Sequence, residues 1–289
     1  MANYYCLMAG LPDLRLDSPE TAPSLRFLHE QILEQDDMNG RDLRMVELFF
    51  LMGDCRNLIV LLGDNLAELP YVGKWDKREL QEMIADALED EFEDDKRFPP
   101  FMADFVREYY ERGQEGGYFP EDRLMVRYWQ YLKQHGTGLI KGWATLSLDI
   151  ANTLTALICE QQGWPVEEYT YGYDKTLVDE ALTARLREIA ADEDPVHKEQ
   201  RIDALKWLWA EEETFFDAFD VNALYTYLLK TEMLERWSRL DPAQGKERFR
   251  QIIEGLREEA TVPAEFTSYM PKEGNIYAQD AGAYDKNET

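Results

Sequence analysis

Positive charge is scarce in this sequence: 31 Lys and Arg stand against 58 Asp and Glu over 289 residues, a formal net charge of −27. A phosphate backbone is held by cations that displace its counterions, so nucleic acid is excluded as the main ligand. β-Branched residues are scarce too, with 10 Val and 11 Ile against 35 Leu and 24 Ala. No β-branched run of strand length recurs, and 17 Gly and 12 Pro are too few to punctuate the short strands of a sandwich or barrel. The two most apolar stretches, near 43–62 and 139–159, are interrupted by Glu47, Asp54 and Arg56 and by Lys141, Asp149 and Asn152. Neither is an uncharged span of the length a membrane requires. The three cysteines, Cys6, Cys55 and Cys159, are odd in number and far apart, as expected of free buried thiols in a reducing compartment. The opening MANYYCLMAGLPDL has no Lys or Arg ahead of its apolar stretch, and Pro12 and Asp13 follow at once, so secretion is not expected. These absences describe a soluble, cytoplasmic chain that anionic lipid repels.

Motifs that would carry chemistry are missing as well. There is no Gly-x-x-x-x-Gly-Lys-Ser/Thr loop, and Gly136-x-Gly138-x-x-x-Gly142 has neither the strand nor the spacing of a dinucleotide fingerprint. His29, His135 and His197 are scattered and expected at the surface; Asp194-x-x-His197 is one metal-compatible pair, whereas a helix-bundle di-iron site needs two Glu-x-x-His pairs and two further carboxylates. The acid run Asp90-Glu-Phe-Glu93-Asp94 superficially resembles the Mg²⁺-binding motif of α-helical isoprenoid synthases. In the second motif of those enzymes Asn152 and Glu160 would fit, but Ala156 stands where a hydroxyl ligand is needed, which removes one oxygen from a hard cation. A solvated acidic helix end is the plainer account. No catalytic, cofactor or metal residue is expected.

What the sequence does contain is helix. Leu, Ala, Glu, Lys, Arg and Gln dominate, all residues that lose little rotamer freedom in a helix. Apolar positions recur at helical spacing over about 25–33, 42–62, 76–95, 101–112, 120–134, 139–162, 175–191, 196–213, 217–239 and 242–260, separated by Gly and Pro. The expectation is an all-α protein, an elongated array of two or three helical bundles with an internal repeat. Its parts are a helical lobe over 1–135, a second over 136–262, and a flexible tail over 263–289.

The repeat rests on two apolar helices. An offset of 95 superposes Asp54-x-x-Asn57 on Asp149-x-x-Asn152, and a degenerate third copy keeps Asn222 but has Phe219 in place of the acid. Asp and Asn are poor helix-interior residues that need hydrogen-bond partners when buried. At i and i+3 they share a face, and the reading is structural: each pair binds a neighbouring helix end or loop backbone and fixes how its bundle closes.

At these residues the sequence resembles a known family. NYYCLMAGLPDL, LFFLMGDCRNLIVLL and LDIANTLTAL are similar to a bacterial family of uncharacterised proteins that accompany V/A-type ATPase subunits. More distantly they are similar to the C-type subunit of that rotary ATPase, called d-type in the eukaryotic enzyme. The Asp-x-x-Asn-Leu signature of the C/d-type proteins is matched by Asp54, Asn57 and Leu58; Asp149 and Asn152 are followed by Thr153. YTYLLKTEMLERW (225–237) resembles the family's final helix. The resemblance implies a non-catalytic all-α socket that couples the rotating central stalk to the membrane rotor ring, peripheral to the membrane through those partners. A helical interaction scaffold unrelated to the ATPase is the alternative.

Aromatics crowd the last third of the chain: Trp207, Trp209, Phe215, Phe216, Phe219, Tyr225, Tyr227 and Trp237. Most are expected in the core. If one surface binds a partner, Trp209, Arg236 and Trp237 are the anchors the composition suggests, because Trp and Arg dominate interface energetics.

Overall fold

A computed structural model describes residues 4–15, 22–33, 38–89, 97–113, 119–216 and 219–239. Among them the secondary structure is helical, with no strand: α1 (Tyr5–Gly10), α2 (Leu25–Leu33), α3 (Gly40–Gly63), α4 (Lys77–Leu88), α5 (Pro100–Arg112), α6 (Pro120–His135), α7 (Gly138–Gln162), α8 (Val166–Tyr169), α9 (Glu180–Ala190), α10 (Pro195–Glu213) and α11 (Val221–Arg239). The all-α class read from composition is the class observed.

The boundaries follow local chemistry. Asn39 caps α3 by accepting from the backbone N–H groups of Arg41 and Asp42. Asp76 and Glu79 form a reciprocal capping box on α4. Pro stands in the first turn of α5, α6 and α10, where its missing N–H costs nothing. At the end of α7, Gly163 takes the left-handed conformation, φ 70°, that stops a helix. The short α1 and α8 carry no full turn-to-turn apolar period, which is why periodicity does not announce them.

The main core is built around α3. Phe49, Phe50, Cys55 and Leu58 are buried there against Tyr128 and Leu132 of α6 and Tyr225 and Leu228 of α11. Tyr128 donates its hydroxyl to the carbonyl of Leu48 at 2.9 Å, and Arg56 pairs with Glu232 at 2.8 Å, so α6 and α11 are each pinned to α3 by a polar contact as well as by packing. A smaller cluster joins Leu146 and Ile150 of α7 to Leu186 and Ile189 of α9. The core runs across residue 135, taking Leu132 from α6 and Ile140 and Ala144 from α7, within a compact unit that extends to residue 238. The helix expected over 242–260, the tail over 263–289 and the acids Asp90, Glu93 and Asp94 lie outside the described residues.

Two side-chain expectations are corrected. Cys6 is exposed, on the short α1, while Cys55 and Cys159 are buried free thiols. His29 is half-buried and meets the Phe50 ring edge-on at 4.4 Å, and this burial lowers its pKa. Its helix carries a mainly apolar face inward, and the histidine lies at the margin of that face.

Candidate functional site

Asp54 and Asn57 lie one turn apart on α3, both fully buried, facing the loop that leads into α4. Asn57 bonds both backbone groups of one residue: Nδ2–H donates to the carbonyl of Tyr71 at 2.9 Å, and Oδ1 accepts from the Tyr71 N–H at 3.1 Å. Asp54 takes the next two donors, with Oδ2 accepting from the Lys74 N–H at 2.9 Å and Oδ1 from the Trp75 N–H at 3.2 Å. Four backbone groups of one loop are thereby satisfied by two side chains of one helix.

Such closeness requires glycine on both sides. A Cβ on Gly53 would stand 1.9 Å from the Val72 carbonyl oxygen, and one on Gly73 would stand 2.1 Å from Asp54 Oδ1. Removal from water raises the Asp54 carboxyl to about 7, against the opposing pull of the Lys74 and Trp75 N–H groups and the Lys74 charge.

The second helix repeats half of this device. Asn152 Nδ2–H donates to the carbonyl of Tyr171 at 3.1 Å, and Asn152 Oδ1 accepts from the Tyr171 N–H at 3.0 Å. Again one buried asparagine of a long helix holds one tyrosine backbone of the loop that follows. Asp149 does not take part: it is half-buried and accepts no loop N–H, and burial raises its carboxyl against the lowering influence of Lys133. A buried Leu148 occupies the position that Gly53 has in the first helix. Asn222 belongs to neither arrangement. It lies in the first turn of α11, where Asp220 Oδ1 accepts from the N–H groups of Asn222 and Ala223 at 2.8 and 3.1 Å, and Asn222 Nδ2 lies 3.2 Å from Asp220 Oδ2. That is a helix cap, not a loop clamp.

Trp209, Arg236 and Trp237 are engaged within the molecule. Trp209 is half-buried, 5.9 Å from the Trp143 ring and packed so closely on Gly142 that a Cβ there would meet it at 2.8 Å. Arg236 pairs with Asp203 and, at 3.3 Å, with Glu199; Trp237 donates its indole N–H to Asp203 Oδ2 at 2.7 Å. Asp203 is buried, so the Arg236 and Trp237 donors stabilise a carboxylate that would otherwise be costly, and they join α10 to α11.

Phe215 and Phe216 are exposed, 76% and 92% accessible, and meet edge-on at 5.0 Å in the turn after α10, with Phe219 38% accessible nearby. This corrects the expectation of a core position for them. Thr214 ends α10 ahead of them, so both stand in the turn rather than on the inner face of the helix.

Among the described residues no group of three or more His, Cys, Asp or Glu side chains is placed to hold a metal. Asn152, which with Glu160 matches a second Mg²⁺ motif, is bonded through both ends of its amide to the Tyr171 backbone. Asp194 caps α10, accepting from the Val196 N–H at 2.9 Å, and His197 pairs instead with Asp192 at 2.5 Å. No helix among the described residues is long and apolar enough to cross a membrane.

Fold and site together define an all-α protein whose most conspicuous polar motif is a structural clamp. The chain belongs to the family described as "Protein of unknown function (DUF2764)", whose model matches residues 1–260. No curated protein and no solved structure matches it.

Proposed function

We propose that the chain is a non-catalytic coupling subunit of a V/A-type rotary ATPase, linking the central stalk to the membrane rotor ring. The observation that carries the reading is the Asp54-x-x-Asn57-Leu58 helix, which resembles the C/d-type signature and here serves internal architecture: both carboxylate oxygens and both ends of the amide are bound to the backbone of one loop. A signature used in this way belongs to a rigid helical body that transmits force rather than to a reaction centre. Two surface features supply the means of contact. The net charge of −27 favours a basic partner face, and Phe215 and Phe216, beside the exposed Glu212 and Glu213, offer an apolar anchor within an acidic surround.

The test is a salt series of association kinetics against purified central-stalk subunits and rotor ring. Steering acts mainly on association and is screened beyond about 8 Å at physiological ionic strength, so the on-rate to one of them should fall steeply as salt rises. F215S/F216S should mainly raise the off-rate, because the lost contact is apolar and short-ranged. No binding to either partner at low salt overturns the coupling role; the exposed Phe pair would then favour a helical scaffold serving an unrelated partner.

A further inference from the structure

One cleft has charged lining residues that are mainly cations, among the described residues of a chain whose net charge is −27. It lies between the start of α3, the loop held by Asp54, the residues leading into α5 and the end of α6, and encloses about 760 Å³. Among the described residues its rim carries Arg41, Arg44, Lys74 and Arg97 and one carboxylate, Glu47, with His135 at the α6 end. Lys74 pairs with Glu47 at 3.1 Å, whereas Arg41 and Arg44 have no carboxylate partner among the described residues. In a chain with nearly two acids for every base, two arginines on one concavity without a carboxylate partner among the described residues are the reverse of what its composition favours.

The floor is apolar and aromatic. Trp75 and Phe98 meet edge-on at 6.2 Å, both buried, and Tyr131 lies against the His135 ring at 4.2 Å. The site is also pre-organised. Asp54 holds the backbone N–H groups of Lys74 and Trp75, so the clamp fixes one cation and one ring of the cleft, and α3 carries Arg41 and Arg44 one turn apart. Guanidinium groups form paired hydrogen bonds with phosphate-type oxyanions, and flat rings accept a flat apolar body. The volume lies within the range of about 300–1,000 Å³ usual for small-molecule sites.

We infer that the cleft bounded by Arg41, Arg44, Lys74 and Arg97 over the Trp75–Tyr131 floor binds a small organic polyanion, with phosphate-type charges carried on a flat apolar body. This does not rest on the coupling role and stands or falls separately. The rim supplies the charge contacts and the floor supplies the selectivity for an organic anion over an inorganic one.

The experiment is calorimetric titration of the full chain at low salt with three probes: ATP, inorganic tripolyphosphate, which keeps the charge but lacks the flat body, and a decaglutamate peptide. ATP should bind most tightly, at least about threefold above tripolyphosphate, and R41E/R44E should weaken it about tenfold or more. The control R185E/K198E makes the same change of charge on α9 and α10 and should leave binding intact. Thermal unfolding checks that each variant is folded, and R41Q/R44Q replaces R41E/R44E if that protein shows no transition. The inference is overturned if ATP does not bind, if R41E/R44E binds it as wild type does, if tripolyphosphate binds as well as ATP, or if decaglutamate binds more tightly than either.

Discussion

The helices α3 and α7 carry the same four-residue spacing and use it differently. In α3 both polar residues hold the following loop; in α7 only Asn152 does, and Asp149 faces a half-solvated margin. The asparagines behave alike because an amide has one donor and one acceptor edge and can complete both backbone groups of a single residue, wherever that residue is brought. A carboxylate only accepts, so it needs N–H groups delivered to it at short range. Gly53 and Gly73 allow that delivery in α3, whereas a leucine, Leu148, stands at the position of Gly53 in α7. The acid of the motif is therefore conditional on its neighbours, and the amide is not.

The comparison breaks most violently at Gly53. Gly53→Leu makes the first helix like the second at that position and drives a side chain into the Val72 carbonyl 1.9 Å from the new Cβ. Overpacking of this kind costs about 1–3 kcal/mol or more, and detaching the loop adds the loss of the Asp54 bonds. Chemical denaturation should show a larger loss of stability than any change at Asn57, Asn152, Asp54 or Asp149 produces, and the reciprocal Leu148→Gly should not create a clamp at Asp149.

Next in size are the asparagines. Asn57→Leu and Asn152→Leu each orphan a loop N–H and carbonyl, a cost of about 1–3 kcal/mol apiece. Asn57 is fully buried and Asn152 slightly less so, at 6% accessible, so the α3 variant should melt lower than the α7 variant. Equal melting to wild type for both, with partner binding lost, would make these residues interfacial rather than structural.

A further contrast is in pH. The Asp54 carboxyl is raised to about 7, so between about pH 4 and 7 the folded state holds a proton that the unfolded state has released. Stability from this group is complete below its unfolded value and is lost as pH rises through the folded one. Asp54→Asn removes that titration. The difference in unfolding free energy between wild type and Asp54→Asn, followed from pH 4 to 8, should therefore fall across this window, most steeply near its middle and levelling off above about pH 7, in the direction of wild type losing ground. Asp149→Asn should leave stability within about 0.5 kcal/mol, as expected of a substitution away from any buried network. A flat difference curve for Asp54 would mean that its charge is better solvated than its burial implies.

Much of the fold is legible in the chain. The 3.6-residue periodicity of Leu and Ala places most of the helices, and the Asn-centred spacing points to loop-binding side chains, because those signals lie within single helices and depend on neighbours three or four residues away. Other features are not legible. Trp209, Arg236 and Trp237 have the composition of an interface, and within the molecule Arg236 and Trp237 bond Asp203, more than 30 residues away, while Trp209 packs on Trp143. Phe215 and Phe216 have the composition of a core and stand in solvent. The cation cleft gathers Arg41, Arg44, Lys74 and Arg97 from separate segments, so its charge is invisible in a sequence whose total is −27.

By itself the sequence determined the all-α class, most of the helix starts, and the need of Asn57 and Asn152 for buried partners, since propensity, capping and the desolvation of an amide act over one or two turns. Only the tertiary structure decided which partners those were, that Asp54 is held and Asp149 is not, and which aromatics face water. Those outcomes depend on whether a loop some 20 residues away can approach a helix to within a single van der Waals contact, and at Gly53 that distance is set by the absence of one carbon atom.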